Sequence, residues 1–432
     1  MEMDEHLFRR ESGRLVAALT RIFGVHNLAL AEDVVQEAFC RALEVWKVRG
    51  IPENPSAWLM TTAKNRALDV IRRQRTARTF APELSRFLES EWTTVPVVEE
   101  AFGEHVIRDE QLRMMFSCCH PRLPEEAQVA LILNILCGFG AQEIAGAFLS
   151  GRAAIEKRIS RGKKVLASSK RLFDLGADDF DSRLSAVRSA LYLLFSEGYH
   201  GASAESAVRM ELCSEAIRLI LLLLEHAPAA TPETSALAAM MHLHAARFPA
   251  RLDEAGDLSA LADQNRSRWD VSLIARGLAL LERSAAGRQV TSYHLEAAIA
   301  AAHASATSLD DTDWRSIVSL YDRLMVVAPS PVVALNRAIA LSQRDGAERG
   351  LAELLAISGR ERLDNYPFYP AAVGELELRL GRPAEAREHF STALTLARNP
   401  TERRFLEKRL KAAGREFDGP DVGLSEPSGS GR

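Results

Sequence analysis

The spacing of the apolar residues constrains this chain most. Over Leu30–Trp46 they fall at 30, 34, 35, 38, 39, 42, 43 and 46, the three-to-four rhythm of one helical stripe. Ala and Leu are abundant, Gly and Pro fall mostly between periodic segments, and β-branched alternation is scarce. A strand needs a period of two and a helix one of 3.6, so the pattern predicts an all-α protein. With 47% apolar residues in 432, there is material for two to four packed cores.

Breaks in the period divide the chain. Residues 5–78 read as helical with one break at Arg49–Asn54. Residues 79–107 hold Pro82, Pro96, Gly103 and an excess of acids, and read as a linker. Residues 108–171 are helical again, broken at Pro121–Pro124 and Gly138–Gly140. From 179 to 414 helix follows helix, and the Gly/Ser/Pro-rich stretch 415–432 reads as a disordered tail. Within the long C-terminal part, Pro331–Leu341 with Gly350–Ile357 and Tyr369–Leu380 with Pro383–Ala397 form two helix pairs. The run Leu380-Gly381-Arg382-Pro383-Ala384-Glu385-Ala386, followed by Phe390, Ala393 and Leu396, resembles a tetratricopeptide turn. A stacked helical array is expected there.

Charge is distributed unevenly. Residues 1–171 carry 25 Lys and Arg against 22 Asp and Glu, whereas the remainder carries 29 against 36. The first part suits a polyanion and the second would repel one. The N-terminus is acidic without an apolar core, so no secretory signal is expected. Five cysteines without paired spacing suit a reducing compartment and predict a cytoplasmic protein. Cys118-Cys119-His120 lacks the two-residue gap and second ligand pair of a zinc site. No metal or cofactor is expected.

Two basic helices stand out. Asn54–Pro55 supplies an N-cap and a first-turn proline. In the helix that follows, Leu59, Met60, Ala63, Ala67, Val70 and Ile71 share one face. Trp58, Thr62, Asn65, Asp69 and Arg72 share the other, beside Arg66 and Arg73. A Trp can stack on an unpaired base and an Asn can bond a base edge. The alternative is that Trp58 folds over a neighbouring helix. The second basic helix closes a helix-turn-helix: Gln142–Phe148, the turn Leu149-Ser150-Gly151, and Arg152–Ser168. Ile155, Ile159 and Leu166 point inward, while Glu156, Lys157, Ser160, Arg161 and Lys164 point outward as a duplex-reading face would. On Leu30–Trp46 the outward side chains are Glu32, Asp33, Gln36 and Glu37, either a solvated face or a protein-docking surface.

These segments, in this order, resemble a bacterial sigma-70 factor of the extracytoplasmic-function type. Ala31–Phe39 resembles region 2.2, Ala57–Arg73 regions 2.3 and 2.4, and Gly138–Leu166 region 4.2. The resemblance implies two small helical sigma domains, over 5–78 and 108–171, followed by a TPR-like regulatory array over 179–414. It implies core RNA polymerase and promoter DNA as partners, and no enzymatic activity. Asp33, Gln36 and Glu37 would face the β′ clamp, and the β flap would receive region 4. Trp58, Thr62, Asn65, Arg66, Asp69, Arg72 and Arg73 would serve the −10 strand. Glu156, Lys157, Ser160, Arg161 and Lys164 would serve the −35 duplex. The acidic linker would lie in the RNA-exit path. One departure is Arg161-Gly162-Lys163, where the family usually carries Ala at the middle position. Gly162 is expected to loosen the helix by up to ~1 kcal/mol.

The C-terminal half resembles the extension of a sigma group often associated with small YCII-related (DGPF) proteins. The resemblance rests on Phe195–Gly201, Leu212–Leu219, Asp263–Asp270, Ala297–His303, Thr312–Trp314 and Ser330–Arg337. Glu197, Arg266, Arg268, Trp269 and Asp270 are expected to form a buried charge network that fixes helix stacking. A peptide pocket using Arg266, Arg268 and Trp269 is the second reading, and a hydrolase site a third. His242 and His244 sit about 200° apart on a helix and cannot share a metal on one face. A TPR scaffold with an independent helix-turn-helix, acting without polymerase, is the alternative for the whole chain.

Overall fold

The computed structural model describes residues 5–23, 27–77, 110–148, 150–168, 177–200, 208–253 and 256–415. The acidic linker at 79–107 and the tail from 416 lie outside these residues. Among the described residues the chain is helical, with one isolated bridge between Leu252 and Leu258 and no sheet. It divides into two compact units. The first comprises residues 1–202, 208–241 and 282–287, and the second 203–207, 242–281 and 288–432.

In the first unit, α1 (Glu5–Phe23), α2 (Leu28–Arg49) and α3 (Pro55–Ala77) form a three-helix bundle. The part of the 5–78 segment before the expected break thus holds two helices, α1 and α2. Asn54 Oδ1 accepts from the Ala57 N–H at 3.0 Å, so α3 starts where the Asn-Pro pair predicts. Leu59, Ala63 and Ala67 are buried as expected, but Met60 and Val70 are only half-buried. On α2, Val34, Val35, Ala38, Phe39, Ala42 and Trp46 are buried. Leu43 is not: it is 52% exposed, correcting its inward assignment. It lies about 100° from the centre of the buried stripe, too far round to reach the core.

The next four helices are α4 (Glu110–Cys118), α5 (Glu125–Ile135), α6 (Ala141–Ala147) and α7 (Arg152–Ala167). The expected breaks at Pro121–Pro124 and Gly138–Gly140 fall between them. Helix α5 is apolar almost all round, with Ala127, Val129, Ala130, Leu131, Ile132, Leu133 and Ile135 buried. A helix of that kind must be covered on every side. Here α4, α6 and α7 cover part of it, and α8 (Ala177–His200) the rest. Helix α9 (Met210–Glu225) packs along α8.

Helices α10 (Pro232–Ala245) and α11 (Phe248–Arg251) follow. The remaining helices are α12 (Val271–Ser284), α13 (Ser292–Ala304), α14 (Trp314–Val327), α15 (Pro331–Asp345), α16 (Ala347–Leu355), α17 (Phe368–Arg379), α18 (Pro383–Thr395) and α19 (Pro400–Arg415). In the second unit, each helix from α13 onward packs on the next. The two anticipated pairs are α15–α16 and α17–α18. Gly381 turns the second at φ 71°, a conformation glycine adopts without a Cβ penalty. Leu335, Ala338, Leu351, Leu354, Val373 and Leu376 make the shared core of the two pairs. Asp257 accepts from Arg404 and pairs with Lys408 at 2.7 Å, tying the 252–258 turn to α19.

Candidate nucleic-acid interface

The outward face of α7 follows from its stripe. Ile155, Ile159, Gly162 and Leu166 are buried. That turns Glu156, Lys157, Ser160, Arg161 and Lys164 to solvent, and all five are exposed. With Ala153 they line one depression of about 570 Å³. Arg152 Nε donates to Glu156 at 2.8 Å, an exposed i,i+4 pair. Such a pair adds a few tenths of a kcal/mol to an isolated helix, so it shapes the face more than it stabilises it. Three cations and a hydroxyl remain along about two helical turns, enough for phosphate and base-edge contacts together.

Gly162 has a different meaning from the one its helix propensity suggests. A Cβ on it would sit 2.6 Å from Leu131 Cδ1 and 2.9 Å from Cγ. The glycine therefore lets the reading helix approach α5 closely, and Leu131 fills the space an alanine methyl would take.

On α3 the structure sorts the expected side chains. Asn65 and Asp69 are exposed, and Thr62 and Arg66 half-buried. The side chains of Arg72 and Arg73 lie outside those described. Trp58 is half-buried and meets Trp46 edge to face, ring centres 5.3 Å apart. Trp58 thus packs on the neighbouring helix α2 here, the contact its second reading describes. Asp33, Gln36 and Glu37 are exposed on α2. Glu37 accepts from Arg66, whose second donor reaches it at 3.2 Å. The guanidinium hydrogen bond holds the Glu37 carboxyl below its ordinary range. One residue assigned to the clamp and one assigned to DNA therefore satisfy each other.

Three ion pairs that the sequence does not announce matter here. Lys163 Nζ donates to Glu32 at 2.7 Å, joining α7 to α2. Arg209 reaches Glu143 at 3.0 Å and Glu197 at 2.8 Å, joining α9's entry to α6 and α8. Partners this far apart in the chain carry no local period, so no sequence signal announces them. The residues expected to form one network are placed as follows. Glu197 pairs with Arg209 in the first unit, whereas Arg266, Arg268, Trp269 and Asp270 belong to the second. There Arg266 donates to the carbonyls of His303 and Ala306 and to Thr312 Oγ1, and lies over the Trp269 ring at 5.2 Å. Arg247 takes a second position over that ring at 5.5 Å. Asp270 caps α12 through the Ser272 and Leu273 N–H groups, and Arg268 is exposed. The cluster is thus Arg266, Arg247 and Trp269, held by carbonyls as much as by charge.

Among the described residues no group of three or more His, Cys, Asp or Glu side chains could hold a metal, and no helix is long and apolar enough to cross a membrane. Cys118 and Cys119 are buried thiols, and burial pushes Cys118 up to about 12.

Comparison with known proteins follows the same division. Residues 7–77 match the sigma-70 region 2 family, and residues 183–285 match a family of unknown function. An uncharacterized protein, R00370, from Rhizobium meliloti is 40% identical over 398 residues, covering 91% of this chain and 92% of its own. The ECF RNA polymerase sigma factor SigX of Bacillus subtilis is 26% identical over 138 residues, 31% of this chain and 68% of its own. The corresponding SigE of Mycolicibacterium smegmatis is 27% identical over 163 residues, 38% of this chain and 59% of its own. With region 2 matched over the α1–α3 bundle, and an ordered helix-turn-helix beyond it, the chain belongs to the sigma-70 family as a sigma factor of the extracytoplasmic-function type with a long helical extension.

Proposed function

We propose that this sigma factor divides promoter recognition between its two basic helices and that the extension controls the outcome. The observation that carries the reading is the α7 face, where Glu156, Lys157, Ser160, Arg161 and Lys164 stand exposed above a fully packed stripe. That face reads the −35 duplex. Asn65 and the basic end of α3 capture the −10 strand, and Asp33, Gln36 and Glu37 meet the β′ clamp, with region 4 on the β flap. The three roles fall to residues 5–78, 108–171 and 179–414. The acidic linker lies along the RNA-exit path, and a small DGPF-type protein or a peptide is the candidate partner of the extension.

The Lys163–Glu32 contact gives this cycle a physical step. Elements roughly 25 base pairs apart lie on the order of 80 Å apart in duplex rising ~3.4 Å per pair. Helices α2 and α7 touch through this pair, so holding both elements requires it to open. Run-off transcription with core polymerase and the full chain tests the reading. Promoter-specific transcripts that disappear with Lys157→Ala/Arg161→Ala support it. Failure to associate with core polymerase refutes it.

A further inference from the structure

We infer that Arg209, a residue of the C-terminal extension, is a positioning residue for the DNA-reading helix. The inference rests on the assignment of α7 as the duplex reader and names what holds it in place. Glu143 lies in the first turn of α6, and its Oε2 accepts from the Gly140 N–H at 2.8 Å, closing that helix's N-terminus. Its other oxygen accepts from Arg209 at 3.0 Å. The opposite guanidinium nitrogen donates to Glu197 of α8 at 2.8 Å. The three side chains are 8%, 18% and 5% exposed for Arg209, Glu143 and Glu197. The guanidinium also covers the Phe139 ring at 5.6 Å, in the segment that leads into α6.

Arg209 is itself held on both sides. Its N–H donates to the Gly198 carbonyl at 2.7 Å, and its carbonyl accepts from Leu212 at 3.1 Å. A Cβ on Gly198 would sit 2.7 Å from Cys213 Sγ and 2.8 Å from the Arg209 carbonyl oxygen, so α8 and the start of α9 meet at backbone distance. The guanidinium is therefore held where α8 and the start of α9 meet, and it fixes the entry of α6 in turn. Helix α6 packs on α7. A charge-assisted fork in a nearly dry site is directional, and removing its cation leaves two carboxylates facing one another without it. The extension thereby sets the angle at which α7 is presented, without touching DNA.

The test compares full-length wild type with Arg209→Met and Arg209→Lys. Arg209→Met keeps much of the side-chain volume and loses the fork. It is expected to speed hydrogen exchange over 140–167 and to weaken −35 duplex binding by about tenfold, as much as one base contact is worth. Capture of a −10 single-strand oligonucleotide should stay as in wild type. The slope of log affinity against log salt should also stay, because it counts phosphate contacts and Arg209 makes none. Arg209→Lys should recover part of both losses. Unchanged exchange over 140–167 overturns the proposal, and this readout needs no DNA. So does equal loss of −10 capture, which marks general unfolding, or a salt slope lowered as Lys164→Ala lowers it, which marks a phosphate contact. Absence of −35 binding by the wild type itself, with faster exchange in Arg209→Met, refutes the duplex-reading assignment and leaves the Arg209 linkage standing.

Discussion

Replacing Gly162 by Ala sets two effects of opposite sign against each other. In an unconstrained helix interior the change stabilises by ~0.8–1 kcal/mol. In this helix the new methyl carbon would lie 2.6, 2.9 and 3.0 Å from three atoms of Leu131. Leu131 is fully buried in α5 and cannot swing into solvent. Crowding of that kind costs ~1–3 kcal/mol. The net expectation is a loss of about 0–2 kcal/mol, taking the propensity gain from the crowding cost. Thermal unfolding and hydrogen exchange over 152–167 measure it. The background Leu131→Ala separates the terms. That variant alone should lose about 2–5 kcal/mol. Adding Gly162→Ala to it should then stabilise, because the methyl fills vacated space and the propensity gain is released. The two substitutions are thus expected to couple with a sign that favours the double variant. A Gly162→Ala protein that is more stable than wild type by the full propensity gain would refute the packing argument.

Other outcomes follow from the same geometry. Asn65→Ala should impair −10 strand capture by roughly 1–3 kcal/mol while −35 duplex binding persists; equal loss on both substrates contradicts the division of labour. Lys157→Ala and Arg161→Ala should each weaken duplex binding, and removing a cation that neutralises one phosphate should lower the salt slope by about 0.9. Glu32→Gln should lengthen the α2–α7 distance read by fluorescence transfer between dyes on the two helices, and an unchanged distance excludes the Lys163 pair as a closing contact. His303 is held neutral, its pKa pushed down to about 3 by burial and then by the Arg247 and Arg266 guanidiniums. From its unfolded value near ~6.5 down to that folded value the unfolded state binds more protons, so stability should fall as pH falls through this window. His303→Gln should flatten that part of a denaturation–pH profile. Asp257 has the same dependence from another cause: its hydrogen bonds to Lys408 and Arg404 hold the carboxyl below the usual range. Its stabilising contribution is present above the ordinary carboxylate pKa and is lost as pH falls through the folded value, and Asp257→Asn should remove it.

What the sequence makes legible is local. The 3.6 period buries Ile155, Ile159 and Leu166 and exposes Glu156, Lys157, Ser160, Arg161 and Lys164, because a helix face is fixed by residues three and four apart. The Asn54 cap is legible for the same reason, since it bonds three residues ahead. Errors begin where a second element decides. Leu43 sits at the margin of its stripe, and whether it is covered depends on where α1 and α3 end. Gly162 reads as a flaw in its own helix and becomes a packing position only once Leu131 is opposite. Trp58 can meet a base or a neighbouring ring, and its contact with Trp46 depends on the α2–α3 packing that its own helix does not announce.

The charged residues show where that boundary lies. Glu197, Arg266 and Trp269 are grouped in the sequence by the motifs they stand in, not by any local period. Such residues announce that a partner exists without saying which one, since a carboxylate satisfied by any guanidinium leaves the same trace. Arg209 and Glu143 leave no trace at all: each stands beside a turn, where a polar residue is ordinary. Yet Arg209 joins the extension to the helix-turn-helix in a nearly dry site. The boundary read between 171 and 179 from breaks in the helical period therefore falls inside one packed unit, in which α8 covers the apolar helix α5. A chain truncated at that point would expose α5 and remove the Arg209 fork together. Its loss of activity would then report a damaged reading domain as readily as a missing regulator, which makes the single-residue substitutions the more discriminating experiment.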